Sequence, residues 1–457
     1  MPKIRSYSDI EKYLKSHPLL NVSWYGPRTT DVSELGGLLN IGGIIACYGT
    51  NEFLKQIPIL VNDIKGKRQK VSIDDLATIL ISNGKLPIFV SNNKVTAILP
   101  YDTTPELEKF CKEKHIACIS SPEYLKNKLR DKTKIDNVSR EINLPAIPGV
   151  SGFIDNLEYA PLVKRLGLPL FLHFAEGAGG SGNYIVDTLS EFEQIKHTKK
   201  GKKLNVKKYF PGRSCSIDIC VTPTSVICGA LEEMLIGAYP LNSNPTEYVG
   251  SSWFKNNYSL RLRKKICGIG ISIGELLRKQ GFLGFFHPDF LVEGNNVFLT
   301  ELNMRFGGSC GVYANIQTAK KQIPLMLIHV FTFMRPNFKF DAEKINEENL
   351  NPLDYALLIL KNNFGRPIQI SKKYKSGVYN IIDGSLQMTG RQKFNELKDK
   401  NNIFITGLPC SEEDTIVEEG AFICQVVTRF PISNTKSKLN SKGKSLVKKI
   451  FSQIIVG

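Results

Sequence analysis

The order of apolar and polar positions in the first part of the chain predicts alternating strands and helices. Apolar runs at 43–48 and 56–62 are typical of buried strands, and residues 88–122 follow the order strand, strand, loop, helix, strand. Within that helix, Leu107 and Phe110 recur at helical spacing. Strands joined by a crossover helix run parallel, so the pattern predicts an N-terminal parallel sheet.

Further along, the pattern predicts a second group of elements around a glycine-rich stretch and a third group rich in strands. In chain order these are a polar helix at 124–143, a helix at 158–166, a strand at 168–174, a glycine-rich loop at 176–182, a strand at 183–186, several strands at 204–234, helices at 260–280 and 315–335, and mostly strands at 352–430. The mixture indicates an α/β (α+β) protein.

One predicted β-hairpin carries the most specific pattern in the chain. Two strand-like runs flank the turn residues 294–296, which have the composition of a hairpin loop. A three-residue loop would pair Glu293 with Val297 and would place Asp289 opposite Glu301, at about 4.5–5.5 Å. Two carboxylates at that distance repel each other unless a cation lies between them.

The same hairpin presents a row of polar side chains on one face. Because side chains alternate along a strand, Glu301, Asn303 and Arg305 share this face with Asp289. Oxygen ligands suit Mg²⁺, which takes few carboxylates together with phosphate oxygens and water. Arg305 could neutralise a transferring phosphoryl group. The opposite face is predicted to pack on a core through Phe290, Val292, Phe298, Thr300 and Leu302. The alternative is a solvated hairpin without a ligand.

Composition narrows the class of protein. The chain has 457 residues, 42% of them hydrophobic, which is enough for two to four modules. Its apolar runs are too short for a membrane span, and its first residues lack the apolar centre of a signal peptide. The ten cysteines form no CxxC pair, which argues against a zinc site or a disulfide framework and favours a reducing cytoplasm.

The formal net charge of +17 allows two interpretations. One is a polyanionic partner, such as a nucleotide, an acidic carrier protein or a nucleic acid. The other is a lysine-rich composition with a basic tail, since residues 436–449 hold six lysines and no acidic residue. Nucleic acid is the least favoured partner because no aromatic–basic motif accompanies the charge.

A glycine-rich loop lies between two predicted strands. Gly177, Gly179, Gly180 and Gly182 would let the backbone approach a ligand closely, and successive N–H groups there could cradle phosphate. The spacing matches neither a P-loop nor a dinucleotide-binding fingerprint. A tight hairpin without a ligand is the alternative.

These elements, in this order, resemble the ATP-grasp superfamily, and specifically the branch related to biotin carboxylase, over roughly residues 85–430. The resemblance is carried by Asp131-Lys132 ahead of LPAIPG, by FLHFAEGAGGSG, by VKKYFPGRSCSIDICV and by the carboxylate hairpin. It implies an ATP-grasp fold with an N-terminal parallel-sheet domain, a small lid lobe and a C-terminal mixed-sheet lobe. The expected divisions are a pre-ATP-grasp domain at 1–125, the small lobe with the glycine loop at 126–205, the catalytic lobe at 206–340, and a β-rich subdomain with the basic tail at 341–457.

The resemblance also implies roles for single residues. These are phosphate binding by Lys132 and the glycine loop, adenine recognition by backbone groups of Lys208 and Phe210, binding of Mg²⁺ (or Mn²⁺) by Asp289, Glu301 and Asn303, and contact with the reacting phosphate by Arg305. Two positions depart from the family pattern. His173 stands where the family has a phosphate-binding lysine, and Lys207 stands where it has a glutamate for the ribose. A histidine can still donate a hydrogen bond to phosphate or become protonated.

The chemistry implied by the resemblance is transfer of the ATP γ-phosphoryl group to a carboxylate, after which a nucleophile displaces phosphate. Biotin carboxylase carries an acidic base four residues after the metal-site arginine, and Ser309 occupies that position here. Gly307, Gly308 and Ser309 could instead bind a substrate carboxylate, or simply form a turn. Tyr248 and Trp253, in the loop segment 235–253, are weaker substrate candidates.

We therefore expect a cytoplasmic, ATP- and Mg²⁺-dependent carboxylate–amine ligase that acts on an amino acid or a small peptide. One alternative is a ligase that charges an amino acid onto the thiol of an acidic carrier protein, for which the positive charge would favour docking. Another is an ATP-binding regulator with weakened catalysis. The related enzymes are often dimers, so a homodimer is a further expectation.

Overall fold

The computed structural model describes residues 3–28, 32–48, 57–61, 67–68, 73–129, 135–174, 182–242, 244–255, 258–382, 384–408, 415–434 and 437–456. Within these ranges the strands form a five-stranded parallel sheet, a four-stranded and a ten-stranded antiparallel sheet, and two smaller sheets. This mixture of parallel and antiparallel sheets with helices confirms the α/β (α+β) prediction.

The N-terminal segment folds around the predicted parallel sheet. Its elements are β1 (Lys3–Ile4), α1 (Tyr7–Ser16), β2 (Val22–Arg28), β3 (Ile41–Tyr48), β4 (Ile59–Val61), β5 (Lys67–Arg68), α2 (Ile73–Ser82), α3 (Lys85–Asn92), β6 (Ala97–Pro100), α4 (Pro105–Glu113) and β7 (Ala117–Cys118). The sheet has the order β4-β3-β2-β6-β7. Both of its faces are buried, since Trp24 and the adjacent Tyr25 belong to different cores. That double burial explains the apolar runs of β3 and β6.

One predicted element of this segment is wrong. Residues 88–122 were predicted to begin with a strand, but the apolar run at 88–90 lies in helix α3. Leu86, Phe89 and Val90 are buried at helical spacing on one side of that helix. A short apolar run does not by itself distinguish a strand from a buried helix, which is why periodicity failed here.

The middle segment forms a small lobe. Helices α5 (Glu123–Leu129) and α6 (Ile135–Glu141) precede the lobe and pack on the core of the third segment. The lobe itself consists of β8 (Gly149–Phe153), α7 (Tyr159–Leu166), β9 (Leu170–Phe174), β10 (Asn183–Val186), α8 (Leu189–Thr198) and β11 (Lys203–Lys208). The antiparallel sheet has the order β10-β9-β11-β8. In β9, Leu170, Leu172 and Phe174 pack in a core with α7 and α8, whereas Phe171 and His173 face the other side. Helices α5 and α6 stand where one helix at 124–143 was predicted.

The third segment is built on the ten-stranded antiparallel sheet, in the order β16-β15-β12-β13-β14-β18-β24-β22-β20-β21. Its elements are β12 (Arg213–Val221), β13 (Val226–Ile236), β14 (Tyr248–Ser252), α9 (Leu260–Lys279), β15 (Gly284–Glu293), β16 (Asn296–Asn303), α10 (Cys310–Ala319), α11 (Leu325–Met334), β17 (Lys339–Phe340), α12 (Ala342–Asn349), β18 (Ala356–Lys361), β19 (Ile368–Ile370), β20 (Gly377–Ile382), β21 (Ser385–Met388), β22 (Ile403–Thr406), β23 (Thr415–Val417), β24 (Phe422–Thr428) and α13 (Ser441–Ile454).

This sheet continues across the division expected at residue 340, because β14 pairs with β18. Strand β1 pairs with β17, and β5 pairs with β23, so the N-terminal segment is also joined to later strands. Two helices, α10 and α11, replace the single helix predicted at 315–335. Between them Lys321 has a φ of 58°, and Pro324 caps the start of α11. In the described ranges no helix is long and apolar enough to span a membrane.

Candidate active site

A cavity of about 750 Å³ lies between the small lobe and the ten-stranded sheet. The small lobe contributes His173, Lys207 and Lys208, and the opposite wall includes Asp289, Glu301, Asn303 and Arg305. The structure therefore brings both groups of predicted residues to one space.

The carboxylate hairpin forms with a different loop from the predicted one. Glu293 pairs with Asn296, so the loop is the two residues Gly294 and Asn295. The register then changes between Asp289 and Phe290, where a bulge on the other strand restores the pairing of Asp289 with Glu301. The predicted three-residue loop is wrong, but the predicted opposition of the two carboxylates is confirmed.

The bulge also changes which side chains face the core. Phe290, Val292 and Leu302 are in the core as predicted, and Val297 and Leu299 join them. Phe298 instead stacks on Phe210, with ring centroids 5.5 Å apart. Thr300 lies at the cavity and donates its hydroxyl hydrogen to the Asp289 carbonyl at 3.0 Å. The prediction was therefore wrong for Phe298 and Thr300, because one extra residue reverses the alternation between the turn and the bulge.

Asp289 lies in a strongly perturbed environment. Burial raises the pKa of its carboxyl group, and although His287 lowers it, the carboxylates of Glu301 and Glu232 raise it further, to about 7. Its Oδ2 accepts a hydrogen bond from the Asn303 amide at 3.3 Å, whereas its buried Oδ1 accepts none from the described residues. This oxygen of Asp289 could therefore coordinate a cation.

His287 sits beneath Asp289 and joins it to a buried acidic group. Its Nδ1 is 2.6 Å from an oxygen of Asp218, and its Nε2 is 3.4 Å from Asp289 Oδ1 and 3.7 Å from Glu232. Burial alone would lower the pKa of His287, but the hydrogen bond and the charge of Asp218, together with Asp289 and Glu232, raise it to about 9. The imidazolium form therefore balances part of the negative charge at this wall.

Glu232 accepts hydrogen bonds from two hydroxyl groups and also lies near the His287 imidazolium. Ser216 and Ser309 donate to its Oε1 at 2.7 and 3.0 Å. Burial raises the pKa of Glu232, against the lowering effect of His287. Ser309 is fully buried in this contact and does not line the cavity, so the structure does not bring this predicted substrate residue to the ligand space.

Arg305 reaches the cavity from just beyond the end of β16. Its Nη1 donates to the Tyr101 hydroxyl at 3.1 Å and to the Phe306 carbonyl at 2.9 Å, and its Nε lies 3.8 Å from Asp102. Burial would lower the pKa of Arg305, but Tyr101, Asp102 and Glu301 raise it above its ordinary value. A fixed positive charge therefore lies beside the carboxylate pair.

The small-lobe wall differs from the family pattern in the way that the sequence indicated. His173 is buried at the cavity on β9. Lys207, at the position of the expected ribose-binding acid, instead forms an ion pair with Asp136 at 2.9 Å. The Lys208 N–H donates to the Pro148 carbonyl at 2.9 Å, so this donor is already used. Phe210 covers the Phe298 ring at this end of the cavity.

Part of the predicted phosphate site falls outside the described residues. Lys132, Gly177, Gly179 and Gly180 lie in the ranges that the structure does not describe. Gly182 is described, and its carbonyl accepts the Phe174 N–H at 3.0 Å where β9 and β10 meet. The roles of these residues stay predictions.

The glycines after Arg305 line the cavity, and both have close neighbours. A Cβ at Gly307 would lie 2.5 Å from the His287 ring, and a Cβ at Gly308 would lie 2.9 Å from Tyr248. Tyr248 lines the cavity, but Trp253 is buried and stacks on a tyrosine of α10. Trp253 is therefore not placed as a substrate contact, and the glycines are required for packing whether or not they bind a ligand.

Sequence reasoning missed three residues of this site: Asp218, Glu232 and His287. One signal was present in β12, where Ser214, Ser216 and Asp218 are polar at every second position. Such alternation marks a polar face of a strand. No pattern within the chain could show that this face lies beside the carboxylate hairpin, since strand order is set by tertiary pairing.

The donor set at the hairpin fits a divalent cation. Asp289 and Glu301 offer carboxylate oxygens, Asn303 offers an amide oxygen, and the charge of Glu301 adds to burial in raising the Asp289 pKa. Across the described ranges no three His, Cys, Asp or Glu side chains form a ready-made metal cluster. A Mg²⁺ ion that shares substrate phosphates needs fewer protein ligands than such a cluster provides.

Comparisons with known proteins agree with this architecture. Residues 131–210 match the family "Carbamoyl-phosphate synthase L chain, ATP binding domain". The chain is 26% identical over 223 residues to pyruvate carboxylase of Staphylococcus aureus (strain Mu50 / ATCC 700699), a match that covers 46% of this chain and only 19% of that protein.

Two solved structures share the fold. Biotin carboxylase from Campylobacter jejuni has a TM-score of 0.61 at 17% identity, covering 91% of this chain and 88% of the other. N5-carboxyaminoimidazole ribonucleotide synthetase from Thermus thermophilus has a TM-score of 0.55 at 13% identity, covering 96% and 99%. The chain therefore shares the fold of these two enzymes, and its residues 131–210 match an ATP-binding domain, in agreement with the resemblance found in the sequence.

Proposed function

We propose that this chain is an ATP-dependent ligase that joins a carboxylate to an amine, with ADP and phosphate as products. The observation that carries the proposal is the row of Asp289, Glu301, Asn303 and Arg305 on one wall of a cavity whose other wall is the small lobe. The solved neighbours are named as a biotin carboxylase and a ribonucleotide synthetase, which supports ATP-driven ligation as the class of reaction.

The cofactor in this proposal is Mg²⁺, with Mn²⁺ as a substitute. Asp289, Glu301 and Asn303 would hold it, and when bound it would neutralise charge on the phosphate oxygens. On the facing wall, His173 would donate a hydrogen bond to a phosphate oxygen, and Lys208 would add positive charge near the nucleotide. Lys207 is paired with Asp136 on α6, so it joins the small lobe to that helix and would not bind the ribose.

The proposed reaction proceeds in two steps. A carboxylate oxygen of the substrate forms a bond to the γ-phosphorus of ATP as the bond to ADP breaks, which yields an acylphosphate. The amine nitrogen then bonds to the carbonyl carbon, phosphate leaves, and the nitrogen loses a proton. Arg305 stabilises the charge that develops on the transferred group, because it is a fixed cation beside the carboxylate pair.

We favour an amino acid or a small peptide over bicarbonate as the substrate. The position of the expected acidic base is Ser309, which is buried. The nearby acid, Glu232, receives the Ser309 hydroxyl and lies behind His287 rather than on the cavity wall. No described acid therefore takes the place of that base, whereas the backbones of Gly307 and Gly308 line the cavity beside Arg305 and could bind a substrate carboxylate.

The net charge of +17 favours an alternative second substrate in place of the amine. An acidic carrier protein with a thiol acceptor would be attracted to such a surface. A cytoplasmic location and a homodimer complete the proposal. The regulator with weakened catalysis is the outcome expected if ATP binds and no acceptor is ever used.

The test is release of ADP and phosphate from Mg-ATP in the presence of pooled amino acids, pooled dipeptides or carrier thiols. Glu301→Ala is the site variant, and Glu293→Ala, at the turn of the same hairpin and away from the cavity, is the matched control. We expect acceptor-dependent release by the wild type and the control, and loss of at least about 100-fold in Glu301→Ala. Equal release by all three proteins would refute the proposed site.

A further inference from the structure

We propose that Asp102 and Tyr101, at the end of β6 in the N-terminal sheet, are positioning residues that hold the Arg305 guanidinium against the transferring phosphoryl group. The inference rests on the proposed function, and it gives the N-terminal segment a part in catalysis that acts through Arg305.

Arg305 needs such support because its own backbone does not fix it. The residue follows β16, where the chain bends away from the sheet. The four side-chain bonds of an arginine allow many conformations, and each must be lost before the group can act. Contacts from another part of the protein can meet that cost before the substrate arrives.

The contacts of Arg305 come from two consecutive residues. Tyr101 accepts a hydrogen bond from Nη1 at 3.1 Å, and its ring lies 5.6 Å from the guanidinium carbon. Asp102 Oδ2 lies 3.8 Å from Nε. The Phe306 N–H donates to the Tyr101 carbonyl at 3.3 Å, so the backbones on both sides are joined as well. The guanidinium is therefore held at two nitrogens by one loop.

Asp102 is itself rigidly held. Its Oδ1 accepts from the Lys126 ammonium at 2.6 Å and from the Thr103 N–H at 2.9 Å. The Lys126 side chain is only 2% exposed, and its second anion, Glu123, is 3.4 Å away. A buried lysine costs free energy unless it is paired, so the Lys126 ion pair fixes the Asp102 carboxylate in place toward Arg305.

Tyr101 and Asp102 lie at the edge of the N-terminal sheet where ligand sites are expected. In parallel sheets, ligand sites gather at the carboxyl ends of the strands. Tyr101 and Asp102 directly follow β6, and the Tyr101 N–H continues the sheet by donating to Tyr25 at 2.7 Å. Because Tyr101 and Asp102 are anchored to the sheet, they restrict the position of the Arg305 guanidinium.

The experiment compares Tyr101→Phe, Asp102→Asn and the charge-balanced double variant Asp102→Asn/Lys126→Met with the wild type. The double variant guards against misfolding from an unpaired lysine. Glu123→Gln is the matched control, because it alters the same lysine and does not touch Arg305. Each protein is assayed for kcat, for KM of ATP, and for binding of ADP and of a non-hydrolysable ATP analogue by calorimetry.

We expect kcat to fall by at least about tenfold in the three positioning variants, with little change in KM. The analogue, which carries a γ-phosphate, should lose affinity relative to ADP in these variants and not in Glu123→Gln. A folded double variant with unchanged kcat and an unchanged analogue-to-ADP ratio would overturn the inference. If the wild type never turns over ATP, the proposed function fails, and the binding ratio alone then decides whether Asp102 positions Arg305.

Discussion

Asp289→Asn should make the cation-free protein more stable at alkaline pH while it weakens cation binding. In the native state, burial and the neighbouring Glu301 and Glu232 raise the pKa of Asp289 from 3.8 to about 7, even though His287 acts in the opposite direction. The unfolded chain has no such neighbours and keeps the ordinary value. Ionised Asp289 is therefore less favourable in the native state than in the unfolded state.

The direction of the pH dependence of the free energy of unfolding follows from proton binding. Between about pH 4 and pH 7 the native state keeps the Asp289 proton and the unfolded state has lost it, so the free energy of unfolding falls as the pH rises and levels off above about 7. A shift of about three units at 1.36 kcal/mol each sets an upper limit of about 4 kcal/mol. The variant lacks this loss, so its advantage over the wild type should be small near pH 4 and largest at about pH 8.

The assay is urea unfolding in the presence of a chelator at about pH 4.5 and about pH 8, which lie near the two ends of this transition. Glu293→Gln serves as the control for removal of an acid from the same hairpin, and it should show no such pH-dependent gain. Adding Mn²⁺ at the higher pH should stabilise the wild type and leave Asp289→Asn almost unchanged. A variant that is no more stable than the wild type at the higher pH, or a gain of equal size at both pH values, would refute the reasoning.

Three further substitutions test single contacts. Gly307→Ala should destabilise the protein by about 1–3 kcal/mol in thermal unfolding and reduce ATP turnover, because a Cβ there lies 2.5 Å from the His287 ring. Glu233→Ala should cost about 3–5 kcal/mol in urea unfolding, since this fully buried carboxylate pairs with Arg213 at 2.9 Å; glutamate-to-glutamine exchange on the exposed side of α12 should cost almost nothing. His329→Phe should flatten the loss of stability on acidification between about pH 6.5 and pH 4, measured by urea unfolding, because burial lowers the pKa of His329 to about 4 and only the unfolded state takes up the proton in that range.

The carboxylate hairpin shows how far local pattern can predict a site. Two strand-like runs around a polar turn were enough to place Asp289 opposite Glu301, which the structure confirms. The detail was wrong, because a two-residue loop and a bulge together give the same pairing as one three-residue loop. The apolar face was then partly misassigned, and Phe298 packs on Phe210 instead of in the core. Alternation predicts faces only as far as the next bulge.

The remainder of the site depends on pairing between distant parts of the chain. Asp218 and His287 are 69 residues apart in sequence, yet β12 and β15 are neighbours and bring them to 2.6 Å. Arg305 meets Asp102 across a still longer separation. Composition and periodicity describe each strand by itself, whereas these contacts arise from the order of strands in the sheets. That order is why the buried acids were not among the predicted residues.

A last prediction concerns how the binding of ADP depends on a divalent cation. Five carboxylates, those of Asp102, Asp218, Glu232, Asp289 and Glu301, act on the two cations His287 and Arg305. Burial raises the pKa of Asp289, and the neighbouring carboxylates of Glu301 and Glu232 raise it further. Nucleotide phosphates alone would add to the repulsion, whereas a divalent cation relieves it.

We therefore expect ADP to bind the wild type much more tightly with Mg²⁺ than with a chelator, by calorimetry at about pH 8, where Asp289 is ionised. In Asp289→Asn the repulsion between the site and the phosphates is smaller, so metal-free ADP should bind better than to the wild type. The cation has also lost a ligand, so Mg-ADP should bind worse. The difference between the two affinities should therefore decrease. Lys208→Gln, on the opposite wall, should weaken both forms alike because its charge acts on the nucleotide and not on the cation. Equal loss of both forms in Asp289→Asn would show that this carboxylate shapes the cavity without holding the cation.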